Sequence, residues 1–215
     1  RKAVGAYEKP SSNGNPLRDI NDDDIVEHYS LKPVGRIECD GDFVGTGTNV
    51  TWDEIKGKKK HDVLLTTHHV LFGKKFNKSY EKCWFYARGL NGGRVEIDLD
   101  HVIKSELQEN SSKEEFALVR LKEKISDKVG AMTISSIEEE DIQRRVTFDK
   151  SKGFEVVEYE VNGRDGKFFS AGYDHWEKKL KIADNCGPVK TDYRGTLYTK
   201  NEFTHDCAIY DGFSG

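Results

Sequence analysis

The sequence predicts an all-β protein made of two antiparallel units joined by a linker. Three observations carry that reading. Short runs rich in β-branched and aromatic residues recur at roughly ten-residue spacing, as strands of a barrel or sandwich do. Gly, Asn, Asp and Lys separate these runs, which suits turns between antiparallel neighbours. A polar, charged strip over 127–145 divides the runs into two groups.

Residues 1–33 form a polar leader, "KPSSNGNP" followed by the acidic "DINDDD". It reads as extended, with one helical turn near Asp22 to Tyr29. The first group of strands follows: "VGRIEC" (34–39), "DFVGTGTNV" (42–50), "DVLLTT" (62–67), "KCWFYARG" (82–89), "GRVEIDLD" (93–100) and "FALVRL" (116–121). The strip over 127–145 reads as the connection, its "EEED" run a solvated turn or short helix rather than a cation site. The second group is "FEVVEYEV" (154–161), "GKFFSAGY" (166–173), "KLKIADNC" (179–186), "RGTLYT" (194–199) and "FTHDC" (203–207). No internal repeat is visible.

The chain has 215 residues, 35% of them hydrophobic and 33% charged, and a net charge of −4. That balance gives no general attraction to nucleic acid or to anionic membranes. The apolar runs are too short to span a bilayer as helices. The chain opens on Arg1 rather than Met, which reads as a processed form. Four cysteines stand far apart, at Cys39, Cys83, Cys186 and Cys207, with no CxxC pair. Their even number suits two disulfides in an oxidising compartment rather than four buried thiols. Cys186 and Cys207 flank a strand connection and are expected to pair, at roughly 3 kcal/mol of loop-closure stabilisation. Cys39 and Cys83 remain as the second pair. No set of His, Cys and Asp has ligand spacing, so no metal or other cofactor is expected.

Ser214 stands in the final "DGFSG", two residues after Gly212 and directly before Gly215. A serine hydroxyl needs a neighbouring base to act as a nucleophile at neutral pH. Among seven histidines, two follow an apolar strand in "VLLTTHHVL" (63–71), at the point where a strand gives way to a turn.

These motifs resemble those of trypsin-like serine proteases. "LLTTHHVL" is similar to the Leu-Thr-Ala-Ala-His segment around the catalytic histidine of that family. On this register His69 takes the catalytic position and His68 replaces a small residue, where it would pack beside the site. "FVGTGTNV" resembles the preceding Gly-rich strand, "EFALVRL" the strand that carries the catalytic acid, and "HDCAIYDGFSG" the Gly-x-Ser-Gly nucleophile loop. The motifs occur in the family's order, with 46 residues from His69 to Glu115 and 99 from Glu115 to Ser214. "KIADNCGPV", "GTL" and "FTHDC" look like the bacterial branch that includes glutamyl endopeptidases.

The resemblance implies a chymotrypsin-like double barrel, two six-stranded antiparallel β-barrels. It divides the chain into the leader at 1–33, a first barrel at 34–122 with His69 and Glu115, and a second at 123–215 with Ser214. It implies a serine endopeptidase acting on protein or peptide substrates, secreted or periplasmic, with the triad His69, Glu115 and Ser214. The backbone N–H groups of Gly212 and Ser214 would form the oxyanion hole, and Ala208 and Ile209 part of the substrate pocket. Three departures stand out. Val70 replaces the usual Cys after the histidine, Phe213 precedes the nucleophile where trypsin has Asp, and Glu115 replaces the usual Asp. Glu115 and Phe213 favour an alternative, a weakened pseudoprotease that serves as a protein-binding module. An esterase on the same frame is a third reading. The fold of this family continues past the nucleophile loop, so strands beyond Gly215 are expected, and a distorted Gly212–Ser214 loop without them.

Overall fold

A computed structural model describes residues 17–20, 31–52, 61–72, 80–106, 116–133, 141–151, 153–189, 204–205 and 207. In chain order the strands are β1 (Arg18–Asp19), β2 (Val34–Cys39), β3 (Asp42–Trp52), β4 (His61–Thr66), β5 (Cys83–Ala87), β6 (Val95–Glu106), β7 (Phe116–Leu121) and β8 (Met132–Thr133). They continue with β9 (Ile142–Asp149), β10 (Phe154–Val161), β11 (Arg164–Gly166), β12 (Ser170–Tyr173), β13 (Leu180–Ala183), β14 (Pro188–Val189) and β15 (Thr204–His205). Among the described residues two short α-helices interrupt them, α1 (His68–Phe72) and α2 (Ser126–Val129), with a 3-10 turn at Arg88–Leu90. The all-β expectation holds. Two compact units share the chain, one built mainly from Asp19–Ile134 with Ala171–Lys181, the other from Ser135–Ser170 with Ile182–Tyr210.

The first unit contains a closed barrel. Its strands run in the order β2-β5-β6-β7-β4-β3, and β3 pairs back onto β2, with β8 added parallel to β3. Alternation explains the closure. Ile37, Cys39, Leu64, Phe85, Val95, Ile97, Ala117, Val119 and Leu121 point inward and are buried. Burying one large side chain of this kind is worth about 1.5–3 kcal/mol. Val70 and Leu71 of α1, and Ile125 with Val129 of α2, join the same core. The β2–β3 hairpin turns on Asp40 and Gly41, both at positive φ (52° and 91°), as two-residue hairpins require. The Asp40 carboxylate accepts the N–H groups of Glu81 and Lys82. Cys39 faces Cys83 across β2 and β5, and the two form a disulfide with Cα atoms 4.1 Å apart.

Close approach also shapes this barrel. A Cβ on Gly35 would lie 2.5 Å from both the Phe85 ring and the Tyr86 carbonyl oxygen. Asp62, almost fully buried, accepts the N–H groups of Ile125 (2.5 Å) and Ser126 (2.6 Å) and so ties β4 to the start of α2. On the outer face of β2, β5 and β6, cations stack on rings: Arg36 over Tyr86, and Lys82 and Arg94 over Trp84. Glu96 accepts from Lys122 at 2.7 Å and lies 3.4 Å from Lys82; the Lys122 bond holds its carboxyl below the usual carboxylate range.

The second unit is antiparallel too. β9, β10 and β11 form one sheet, with an eight-residue ladder from Phe154 opposite Asp149 to Val161 opposite Ile142. Asn162 and Gly163, both at positive φ, make the β10–β11 turn. Asn185 accepts the N–H of Val157 and donates to the carbonyl of Glu155, tying the loop before β14 to β10. The Tyr159 hydroxyl donates to the carbonyl of Pro188. β14 and β15 form a two-stranded sheet, and Cys186 and Cys207 form the expected disulfide beside it.

Several boundaries differ from expectation. The strip read as a connection, 127–145, contains most of α2, all of β8 and the start of β9. β9 escaped because most of it is exposed, Val146 at 50% and Phe148 at 62%, so it lacks the alternation of a half-buried strand. The run 166–173 is split, with Gly166 ending β11 and Ser170 opening β12. Between them Phe168 leaves the strand direction and sets its ring edge-on to Tyr159, 4.7 Å between centroids. The helical turn expected near Asp22 to Tyr29 and the strand at 194–199 lie outside the described residues.

Candidate functional site

β4 brings the histidines to one rim of the barrel. It pairs with β3 on one side and β7 on the other, Thr66 lying opposite Ala117. After Thr67 the chain turns at once into α1, where the N–H of Val70 donates to the carbonyl of Thr67. The one-turn helix forms here because Val70 and Leu71 are apolar neighbours that both seat in the barrel core. His68 is consequently turned inward, buried, with its ring 4.8 Å from that of Phe72. This is the packing place expected for it. His69 is half-buried, so its imidazole remains partly open to solvent.

Two threonines fix that rim. The Thr66 hydroxyl donates to the carbonyl of Thr46 at 2.8 Å, and the Thr46 hydroxyl accepts the N–H of Tyr173 at 2.9 Å. All three residues are buried. The stem of the β12–β13 hairpin, the middle of β3 and the end of β4 are therefore joined at a single residue, Thr46, through its hydroxyl on one side and its carbonyl on the other. Around it Val34, Phe43, Tyr173 and Leu180 form an apolar cluster, with Ile20 and Met132 packed against it. Burial raises the Tyr173 hydroxyl pKa, against a smaller opposing effect of Arg88 and Arg36. Nothing in the sequence marked Thr46 or Tyr173. Their partners are 20 and 127 positions away, and Thr46 stands on the outer face of a glycine-rich strand, beside Arg36, where a hydroxyl is ordinary in sequence.

Glu115, Ala208, Ile209, Gly212 and Ser214 lie outside the described residues. The other described histidines have different settings. His101 pairs with Asp98 on the surface at 2.7 Å, and His175 stacks among aromatic rings. His205 stands in β15 opposite Pro188. Among the described residues no three His, Cys, Asp or Glu side chains cluster as metal ligands would. No helix among them is long and apolar enough to cross a membrane.

No protein-family model and no curated protein matches the chain. Among solved structures, a Glu endopeptidase in complex with MPD is similar, at 13% identity and a TM-score of 0.44, over 92% of each chain. The barrel and the rim at His69 are the observations on which a function has to be built.

Proposed function

We propose that the protein is a serine endopeptidase of the trypsin-like kind. One observation carries the reading: in a closed six-stranded barrel, β4 runs straight into a one-turn helix bearing His69, while its antiparallel neighbour β7 begins one residue after Glu115. Antiparallel pairing of Thr66 with Ala117 means that the end of β4 and the start of β7 share a rim. A histidine leaving one strand and a carboxylate entering the other is the arrangement a base and its orienting acid need.

In this mechanism the Ser214 hydroxyl attacks the peptide carbonyl while His69 takes its proton. The tetrahedral oxyanion is held by the N–H groups of Gly212 and Ser214, at about 3 kcal/mol per donor. His69 then protonates the leaving amine, and a water repeats the sequence to release the acid. Glu115 holds the imidazole tautomer and stabilises the imidazolium, and its longer side chain can serve as in other Ser-His-Glu hydrolases. Ala208 and Ile209 contribute to the pocket, and acidic side chains are the preference of the glutamyl branch. The division into barrels at 34–122 and 123–215 belongs to the same reading. Two disulfides favour an oxidising compartment, hence a secreted or periplasmic protein.

The test uses a serine-reactive phosphonate and the Glu115→Gln variant. Labelling of native Ser214 that is lost on heating supports the enzyme. Glu115→Gln should lower kcat by about four orders of magnitude. A native protein that takes no label is the binding module instead, and an unchanged kcat in Glu115→Gln removes that residue from the mechanism.

A further inference from the structure

The tip of the β12–β13 hairpin carries an indole that this chemistry does not use. Trp176 is 81% exposed. Its backbone is nonetheless tightly held. Asp174, itself buried, accepts the N–H groups of Trp176 and Glu177 on one carboxylate oxygen, both at 2.8 Å. The Lys178 N–H donates to the Asp174 carbonyl, and the Asp174 N–H to the carbonyl of Lys179. The ring of His175 meets Trp176 edge-on, centroids 5.3 Å apart, and lies 5.6 Å from the ring of Phe43. An aromatic presented on a turn already fixed loses little conformational freedom on contact with a ligand.

The hairpin also has a defined place relative to His69. It is bonded to β3 at Thr46 through Tyr173, and two residues later His175 rests on Phe43. It therefore follows β3 from Thr46 to Phe43, the stretch beyond the β3–β4 ladder, which ends at Thr48 opposite Leu65. Thr46 is the residue whose carbonyl holds Thr66, three positions before His69. From Thr46 to Phe43 the strand rises about 10 Å. An extended peptide covers that distance in about three residues. Glu177, Lys179 and Lys181 are engaged in ion pairs, Lys181 with Glu177 at 3.1 Å and Lys179 within 4.0 Å of both Asp19 and Glu177. What the tip offers is an apolar face.

We propose that Trp176 is a substrate contact, its indole taking an apolar side chain of an extended peptide about three residues from the bond being cut. The proposal rests on the endopeptidase reading. Its test uses the full chain and pairs of peptides that differ only in Leu or Gly at the third residue to either side of the scissile bond. Wild type should prefer Leu at one of these positions by about tenfold in kcat/KM. Trp176→Ala should bring that ratio close to one, and Trp176→Phe should keep most of it. The same ratio in wild type and Trp176→Ala overturns the proposal, as does a wild type indifferent to Leu and Gly. Failure of the endopeptidase reading looks different: wild type cuts neither peptide and Ser214 takes no phosphonate. Calorimetric titration of the uncut peptides then decides the contact. Binding of the Leu peptide about tenfold weaker in Trp176→Ala supports it, and equal binding overturns it.

Discussion

Replacing Thr46 with Val keeps the shape of the side chain and removes one hydroxyl. In the native barrel that hydroxyl accepts the N–H of Tyr173 at 2.9 Å, with both residues buried. The variant leaves a buried donor without its acceptor, a loss of about 1–3 kcal/mol. For a chain of this length each kcal/mol lowers Tm by about 2–4 °C, so a fall of about 2–12 °C is expected. Thr66→Val acts on the neighbouring bond, removing the donor to the Thr46 carbonyl, at about 1 kcal/mol. Because both bonds meet at Thr46, the double variant should depart from additivity by about 0.5 kcal/mol or more. Calorimetry reads the stability terms, and hydrogen exchange of the Tyr173 amide reads the bond itself. Thr46→Ser retains the hydroxyl and should keep that amide protected, although it loses a methyl group. A Thr46→Val protein with unchanged Tm and a Tyr173 amide as protected as in wild type would refute the account of the rim.

Three further outcomes follow from the barrel. Asp62→Asn removes the charge that accepts the Ile125 and Ser126 N–H groups, and should lower unfolding stability in urea by about 1–3 kcal/mol; an unchanged midpoint would deny that this carboxylate ties β4 to α2. Gly35→Ala sets a methyl group 2.5 Å from the Phe85 ring and the Tyr86 carbonyl oxygen, and should lose about 1–3 kcal/mol by overpacking; wild-type stability would show that β2 and β5 can separate freely. Burial raises the Tyr173 pKa in the folded state, so its contribution to stability is complete below the unfolded tyrosine value, near 10, and is lost as pH rises through the folded value. Tyr173→Phe should therefore lose less stability than wild type above about pH 10, and parallel curves for the two proteins would refute the assignment.

Legibility in the sequence tracked burial. β2, β7 and β10 were read to their end residues because each is a short run rich in β-branched and other apolar residues bounded by turn or charged residues, as in "VGRIEC" and "FALVRL". Two disulfides were legible from the number of cysteines; the Cys186–Cys207 pair was read from the strand connection the two flank, which left Cys39 and Cys83 for each other. β9 was not, because "RRVTFD" exposes its apolar residues and reads as a charged strip. Nor was the Trp176 turn, where the ordering group is the Asp174 carboxylate and its partners are backbone amides that any sequence supplies.

The rim at His69 shows what a motif can and cannot encode. "LLTTHHVL" announces a strand, a turn and a histidine, and those are local properties. Which residues share the rim is decided by pairing. Thr66 opposite Ala117 fixes which side chains of β7 face the barrel interior, and a slip of one residue would exchange Ala117 and Val119 for Leu118 and Arg120. Arg120 cannot enter that core at tolerable cost, because a charge there would have no partner to offset its desolvation. The single charged residue of "FALVRL", Arg120, therefore enforces the register. The register in turn decides that Phe116, the first residue of β7, stands at the rim from which His69 departs. Residues 116–121, which make no chemistry of their own, thus set the rim on which the proposed role of His69 depends.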